Sequence, residues 1–253
     1  MPMRSLTALE LLEVWEQGAV QPLVKRALLL LEAACPDLSF EALAQLPIGR
    51  RDACLLELRE RLFGSELAGL AVCPGCGEPL EMGFQVADVL AVSSEPRSDQ
   101  QDLNGYLQLS LAGCEVHFRL PNSLDLLALE TKKSSPPPPE QLLRRCLLAL
   151  RCDGEDLPIG QCPATLAEAV AEHIAAADPQ AEVWLAMKCP LCSHGWEAFF
   201  DVVSFFWAEI NGWAQRVLHE VHRLASAYGW SEADILALSP RRRQFYSELI
   251  QAC

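Results

Sequence analysis

The chain has 253 residues, is 51% hydrophobic and carries a formal net charge of −14. That length allows one large or two small domains with a real core. The acidic balance opposes binding to phosphate backbones, and no apolar run reaches the roughly 18 residues of a membrane-spanning helix. Acidic residues interrupt the N-terminal stretch where a signal peptide would hold its apolar core, so the expectation is a soluble, cytoplasmic protein.

The first 64 residues predict helices. Ala8, Leu11, Leu12 and Trp15 fall at helical spacing before Gly18. Val20–Ala34 is apolar and closes at Pro36. Ser39 caps a short helix before Pro47, and Arg50–Phe63 places Leu55, Leu58 and Leu62 on one face before Gly64. The pattern then shifts to strand, knuckle, strand: Leu67–Val72, CPGCG, Leu80–Val86. A polar loop is expected over Ser93–Asn104. Tyr106–Leu111 and Glu115–Leu120 predict a second hairpin around Ala112-Gly113-Cys114.

Ser123 starts a helix that ends near Thr131. Residues 131–139, with four consecutive prolines, read as a stiff linker. Gln141–Leu150 predicts helix, as does the stretch from Pro163 to Ala177. Ala181–Met187, CPLC and Gly195–Phe200 repeat the strand, knuckle, strand pattern. Asp201 caps a long helix to Tyr228, in which Val202, Phe206, Ile210, Trp213, Val217, Val221 and Leu224 form an apolar stripe. Ser231 with Asp234 resembles a capping box for a short helix, and Ser239-Pro240 opens a last one through Ile250.

The expected fold is α+β and mainly helical. A small antiparallel, zinc-ribbon-like centre is built from two CxxC hairpins, with N-terminal and C-terminal helical parts around it. The parts are 1–64, 65–200 with a helical insertion, and 201–253, folding as one unit.

Eleven cysteines are an odd number, and without a secretion signal they do not suggest a disulfide framework. Seven of them, Cys35, Cys54, Cys114, Cys146, Cys152, Cys162 and Cys253, are scattered and read mostly as small hydrophobes. The other four form two CxxC pairs: Cys73 with Cys76, and Cys189 with Cys192. Each pair follows an apolar strand, has proline after its first cysteine and precedes a short strand. A CxxC turn presents two thiolates on one side, and zinc takes four at tetrahedral corners. One structural Zn2+ held by all four cysteines is the reading the spacing supports, although 112 residues lie between Cys76 and Cys189. The alternatives are redox motifs, which lack support because neither pair sits at the start of a helix, where a lowered thiol pKa is expected, and cysteines without metal. Four thiolates leave no open position for catalysis.

His194 follows the second pair closely and reads as a neighbour of the site rather than a ligand. His219 and His222, at i and i+3, read as a polar edge, and His117 and His173 carry no pattern. No phosphate loop, GxSxG or HExxH is present, and an enzyme is not expected. Aromatic residues crowd Trp196–Trp230. Core packing accounts for most of them; a partner surface would draw on Trp207, Trp213, Tyr228 and Trp230, with the basic run Arg241, Arg242 and Arg243 beside it.

Five segments carry a family resemblance: IGRRDACLLELRERLFG at 48–64, CPGCGEPLE, FRLPNSLDLLAL at 118–129, AADPQAEVWLAMKCPLC at 176–192, and the stretch from WAEINGW through YGWSEADILALSPRRR to FYSELI. Together they resemble a bacterial family of baseplate-type proteins of contractile phage tails and phage-tail-like injection systems, similar to the T-even phage baseplate hub assembly chaperone group. The resemblance implies an assembly chaperone or minor baseplate component, with hub or wedge proteins as partners and no catalysis. Its zinc-knuckle members match at Cys73, Cys76, Cys189 and Cys192. The competing readings are a zinc-ribbon nucleic-acid-binding or regulatory protein, which the net charge opposes, and a thiol oxidoreductase.

Overall fold

A computed structural model describes residues 2–90, 106–130 and 139–252. The expected polar loop at 93–104 and most of the proline linker fall outside these. In chain order the elements are helices α1 (Ala8–Gly18), α2 (Leu23–Ala34), α3 (Phe40–Ala44) and α4 (Ile48–Phe63), strands β1 (Glu66–Val72) and β2 (Pro79–Gln85), and a short α5 (Val86–Val89). Then come β3 (Leu107–Leu111), β4 (Cys114–Phe118), α6 (Ser123–Glu130), α7 (Pro139–Cys146), β5 (Leu147–Cys152), β6 (Glu155–Asp156) and α8 (Ala164–Ala177). The chain closes with β7 (Trp184–Lys188), β8 (Gly195–Phe199), α9 (Val202–Tyr228), α10 (Glu232–Ala237) and α11 (Pro240–Ala252). The class is α+β and mainly helical, with small antiparallel sheets.

The chain divides into two compact units. Residues 1–37 and 202–253 form the first, and residues 38–201 the second. The sequence-based division runs along the chain in three parts; the compact units instead join the two chain ends and place α3 and α4 with the sheets.

The first unit holds helices and no strands among its described residues. Thr7 caps α1: its hydroxyl accepts from the Glu10 N–H at 3.3 Å, while the Glu10 carboxylate accepts from the Thr7 N–H at 2.8 Å. This reciprocal box satisfies donors that the first turn leaves open. Helix α9 packs on α1, α2, α10 and α11. Ile210, Ala214, Val217, Val221 and Leu224 are buried along it, at the three- and four-residue spacing that the apolar stripe predicts. Ala214 takes the buried position expected for Trp213, which is half-buried beside it. At Gly18, an added Cβ would lie 2.2 Å from Trp207 Cη2, so α1 ends directly on the indole. The Arg26 guanidinium covers the same ring at 4.8 Å.

Among its described residues the second unit holds three separate sheets. β1–β2 and β7–β8 are two-stranded hairpins, and β3-β4-β5-β6 is a four-stranded antiparallel sheet. The apolar face of the larger sheet, with Val116, Phe118, Leu147 and Leu150, packs on Leu166 and Val170 of α8. The helix expected over Gln141–Leu150 is only half formed. Helix ends at Cys146, and the apolar run Leu147–Leu150 enters the sheet. Asp153 and Gly154, both at positive φ, supply the two-residue turn into β6.

A fully buried carboxylate, Asp125, holds this region together. It accepts from Arg119 at 2.6 and 2.9 Å, from Arg145 Nε at 3.0 Å and from the Asn122 N–H at 3.1 Å. Burial opposes its charge, but the two guanidinium groups and the amide outweigh that cost and hold it below the usual aspartate range. A second polar contact joins α4 to the segment after α8: the Gly49 N–H donates to Asp178 at 2.9 Å. Burial raises the Asp178 carboxyl despite that bond.

Cys114 and Cys152, expected as isolated small hydrophobes, form a disulfide. They stand directly opposite in the β4–β5 register, a proximity created by strand pairing that no local spacing reveals.

Candidate metal centre

Both CxxC segments fold into the same knuckle. In the first, the Cys73 N–H donates to the Glu78 carbonyl at 2.9 Å and the Gly77 N–H to the Cys73 carbonyl at 2.8 Å. In the second, the Cys189 N–H donates to His194 at 2.9 Å and the Ser193 N–H to Cys189 at 3.0 Å. The offsets are identical. Each knuckle needs a left-handed residue after its second cysteine: Gly77 at φ 77° and Ser193 at φ 60°. Glycine adopts this freely, whereas serine does so at some cost. The tight turn lets the outgoing strand pair back on the incoming one, Val72 with Pro79 and Lys188 with Gly195.

The two hairpins bring their cysteines together. Cys73 Sγ lies 3.6 Å from Cys192 Sγ, and Cys76 Sγ lies 3.7 Å from Cys189 Sγ. All four sulfurs are within 4.8 Å of one another. Four thiolates about 2.3 Å from a tetrahedral zinc would stand about 3.8 Å apart, so the donor set fits that ion. Cys73 and Cys189 are buried, and Cys76 and Cys192 are exposed. The hairpins also touch through Phe84 and Phe200, edge to face at 5.4 Å.

The electrostatics point the same way. The Cys189 thiol is lowered to about 7, first by the Cys192 backbone N–H, then against burial by the Leu191 N–H and neighbouring thiols. Cys76 has the Glu78 N–H pulling it down, yet Cys192, burial, Cys73 and Cys189 push it up to about 12. One thiolate forms readily, and further negative charge in the cluster is then opposed. A bound cation removes that opposition, and its binding releases the protons.

Gly75 shows how close the second hairpin comes: a Cβ there would sit 3.0 Å from His194 Cβ and Cγ. The His194 ring packs over the first knuckle and stacks on Trp196 at 6.2 Å. His219 donates Nδ1 to the Gln215 carbonyl at 2.7 Å, one turn back on α9. Among the described residues the four cysteines are the one grouping of three or more His, Cys, Asp or Glu side chains placed to hold a metal.

The residues expected at a partner surface separate into two kinds. Trp207 is buried on Gly18, and Arg243 is buried with its Nε 2.8 Å from Glu220. Trp213 is half-buried against the α9 core. Tyr228 and Trp230 stack at 4.7 Å, with Tyr246 edge-on to Trp230 at 5.0 Å, and Arg241 and Arg242 are exposed nearby in sequence on α11. Sequence reasoning missed Phe245 and Leu249, which are 58% and 43% exposed on α11. Their i, i+4 spacing after the arginine run is the signal that would have found them.

The family comparison agrees with the resemblance over the four segments between residues 48 and 192. A family model described as T4 bacteriophage base plate protein matches residues 10–207. The comparison with curated proteins and that with solved structures each return no match.

Proposed function

The chain belongs to the T4 bacteriophage base plate protein family, and on that premise we propose that it helps to build or complete the baseplate of a contractile phage tail or phage-tail-like particle. It acts as an assembly chaperone or minor component, by binding hub or wedge proteins rather than by catalysis. The observation that carries this reading is the family match, which spans both CxxC pairs and most of the chain. Assembly takes place in the cytoplasm, before or during incorporation into the particle.

In this reading Cys73, Cys76, Cys189 and Cys192 would hold one structural Zn2+. Bound by four thiolates, such an ion would have no open position and would fix shape without taking part in a reaction. The chain's own residues do the rest. The two knuckles aim their sulfurs and backbone N–H groups, and Phe84 on Phe200 keeps the hairpins in contact.

The test is affinity capture of the tagged full-length chain from cells producing particles. Hub or wedge proteins should co-purify, and a deletion strain should yield tails with missing or incomplete baseplates. Structurally normal, infective or contractile particles from the deletion strain would refute the proposal.

A further inference from the structure

The Cys114–Cys152 disulfide is not part of the four-cysteine cluster, and turn chemistry explains why these two sulfurs meet. Ala112-Gly113 and Asp153-Gly154 are two-residue turns with both residues at positive φ, the geometry that joins twisted antiparallel strands most directly. Each turn makes the adjacent cysteine the closing residue of its hairpin: Cys114 opposite Leu111, and Cys152 opposite Glu155. On an antiparallel strand one residue's N–H and C=O point to the same side. Cys114 therefore turns its backbone toward β3 and Cys152 toward β6. Facing each other they form a non-hydrogen-bonded pair, the kind in which side chains come closest. The next pair along carries a bond, with the Asp153 N–H donating to the Gly113 carbonyl at 3.0 Å.

We propose that Cys114 and Cys152 are a reversible redox site, a dithiol in reducing surroundings and a disulfide in oxidising ones. Backbone pairing already sets the register of β4 on β5, so the strands stay together in the reduced form and neither direction requires unfolding. Both cysteines are half-buried beside exposed turn residues, open to a small thiol or disulfide reagent. By contrast, Cys35, Cys54 and Cys146 are buried. In the closing reaction one thiolate attacks glutathione disulfide and releases one glutathione. The second cysteine, held opposite, then displaces the other glutathione from the mixed disulfide. The pair loses two electrons and two protons, and glutathione disulfide becomes two glutathione thiols. Closure ties the Ala112-Gly113 and Asp153-Gly154 turns together and closes a loop between residues 38 positions apart. The inference is independent of the baseplate reading.

The experiment uses the purified full-length chain supplied with zinc and equilibrated in glutathione mixtures from fully reduced to strongly oxidised. Free thiols are trapped by alkylation, and crosslinks are located by peptide mass mapping. One crosslink, Cys114–Cys152, should appear in the oxidised mixtures and vanish in the reduced ones. The oxidised form should melt roughly 5–10 °C higher. Cys114→Ser should abolish both the crosslink and this shift, while melting with the reduced wild type. Wild-type mapping stands alone if the variant does not fold. Both cysteines staying free at every ratio, a pairing of either with Cys162 or a knuckle cysteine, or a crosslink that survives excess glutathione in the folded chain would each overturn the proposal.

Discussion

The two units reach stability by different means. The first joins the chain ends into a helical group in which α9 buries one apolar residue after another against α1, α2, α10 and α11. The second buries fewer apolar side chains for its length. Its two knuckle hairpins alternate, so that one face is covered while Leu70, Val72, Trp184 and Phe199 stand exposed on the other. Two-stranded hairpins are marginal alone. This unit accordingly carries the four-cysteine cluster, the disulfide and the buried Asp125 network. Where amphipathic helices supply a core, crosslinks are unnecessary; where small sheets do not, specific bonds replace apolar area.

Metal removal should break this contrast most severely. Structural zinc in small sites contributes apparent binding free energy on the order of 10 kcal/mol. A strong chelator, or Cys73→Ser, should lower the melting transition of residues 38–201 and leave that of the helical unit in place. Calorimetry with and without chelator measures this, and unchanged melting would refute a structural metal. Next in size is Asp125→Ala, which leaves Arg119 and Arg145 without their carboxylate. Both arginines are partly exposed and can take up water, so the expected loss is about 1.5–3 kcal/mol, confined to the second unit, and denaturant unfolding gives the value.

Two smaller effects belong to the first unit. Gly18→Ala drives a Cβ into the Trp207 ring and should cost about 1–3 kcal/mol, through space rather than backbone conformation. Thr7→Ala removes the α1 cap and should cost about 1 kcal/mol. The same cap gives a pH signature. Glu10 is lowered from 4.5 to about 2, first by Arg4 and then by the Thr7 N–H. A depressed carboxyl stabilises the fold above its unfolded value and loses that effect as pH falls through the folded one. Arg4 is the largest cause, so the penalty of Arg4→Ala should shrink as pH drops from about 4.5 to 2; a penalty constant over that range would show that Arg4 does not act through the carboxylate.

Elements that follow from local pattern were legible in the sequence. The two knuckles, the β3–β4 hairpin and the α9 stripe depend on residues near one another, and each lies where its spacing puts it. What escaped depends on pairing across the chain. Leu147–Leu150 continues a helical run and is apolar enough for either structure; only Asp153-Gly154, a strong hairpin signal, argued for strand. Asp125, Arg119 and Arg145 look like ordinary solvated charges until the fold buries the first between the other two. Cys114 and Cys152 share no motif and meet only through register. The cluster of four was readable because two copies of one motif have a chemical reason to converge. All four cysteines lie within residues 38–201, so a metal held by them would tie that unit to itself.

The joint four-cysteine site is what would tie the two knuckle hairpins to each other. Zinc-edge X-ray absorption on the purified full-length chain, with metal content measured on the same sample, tests it most directly. One zinc per chain with four sulfur neighbours at about 2.3 Å is the predicted result. Fewer than four sulfurs around the metal, or stoichiometric zinc retained unchanged by Cys189→Ser, would contradict it.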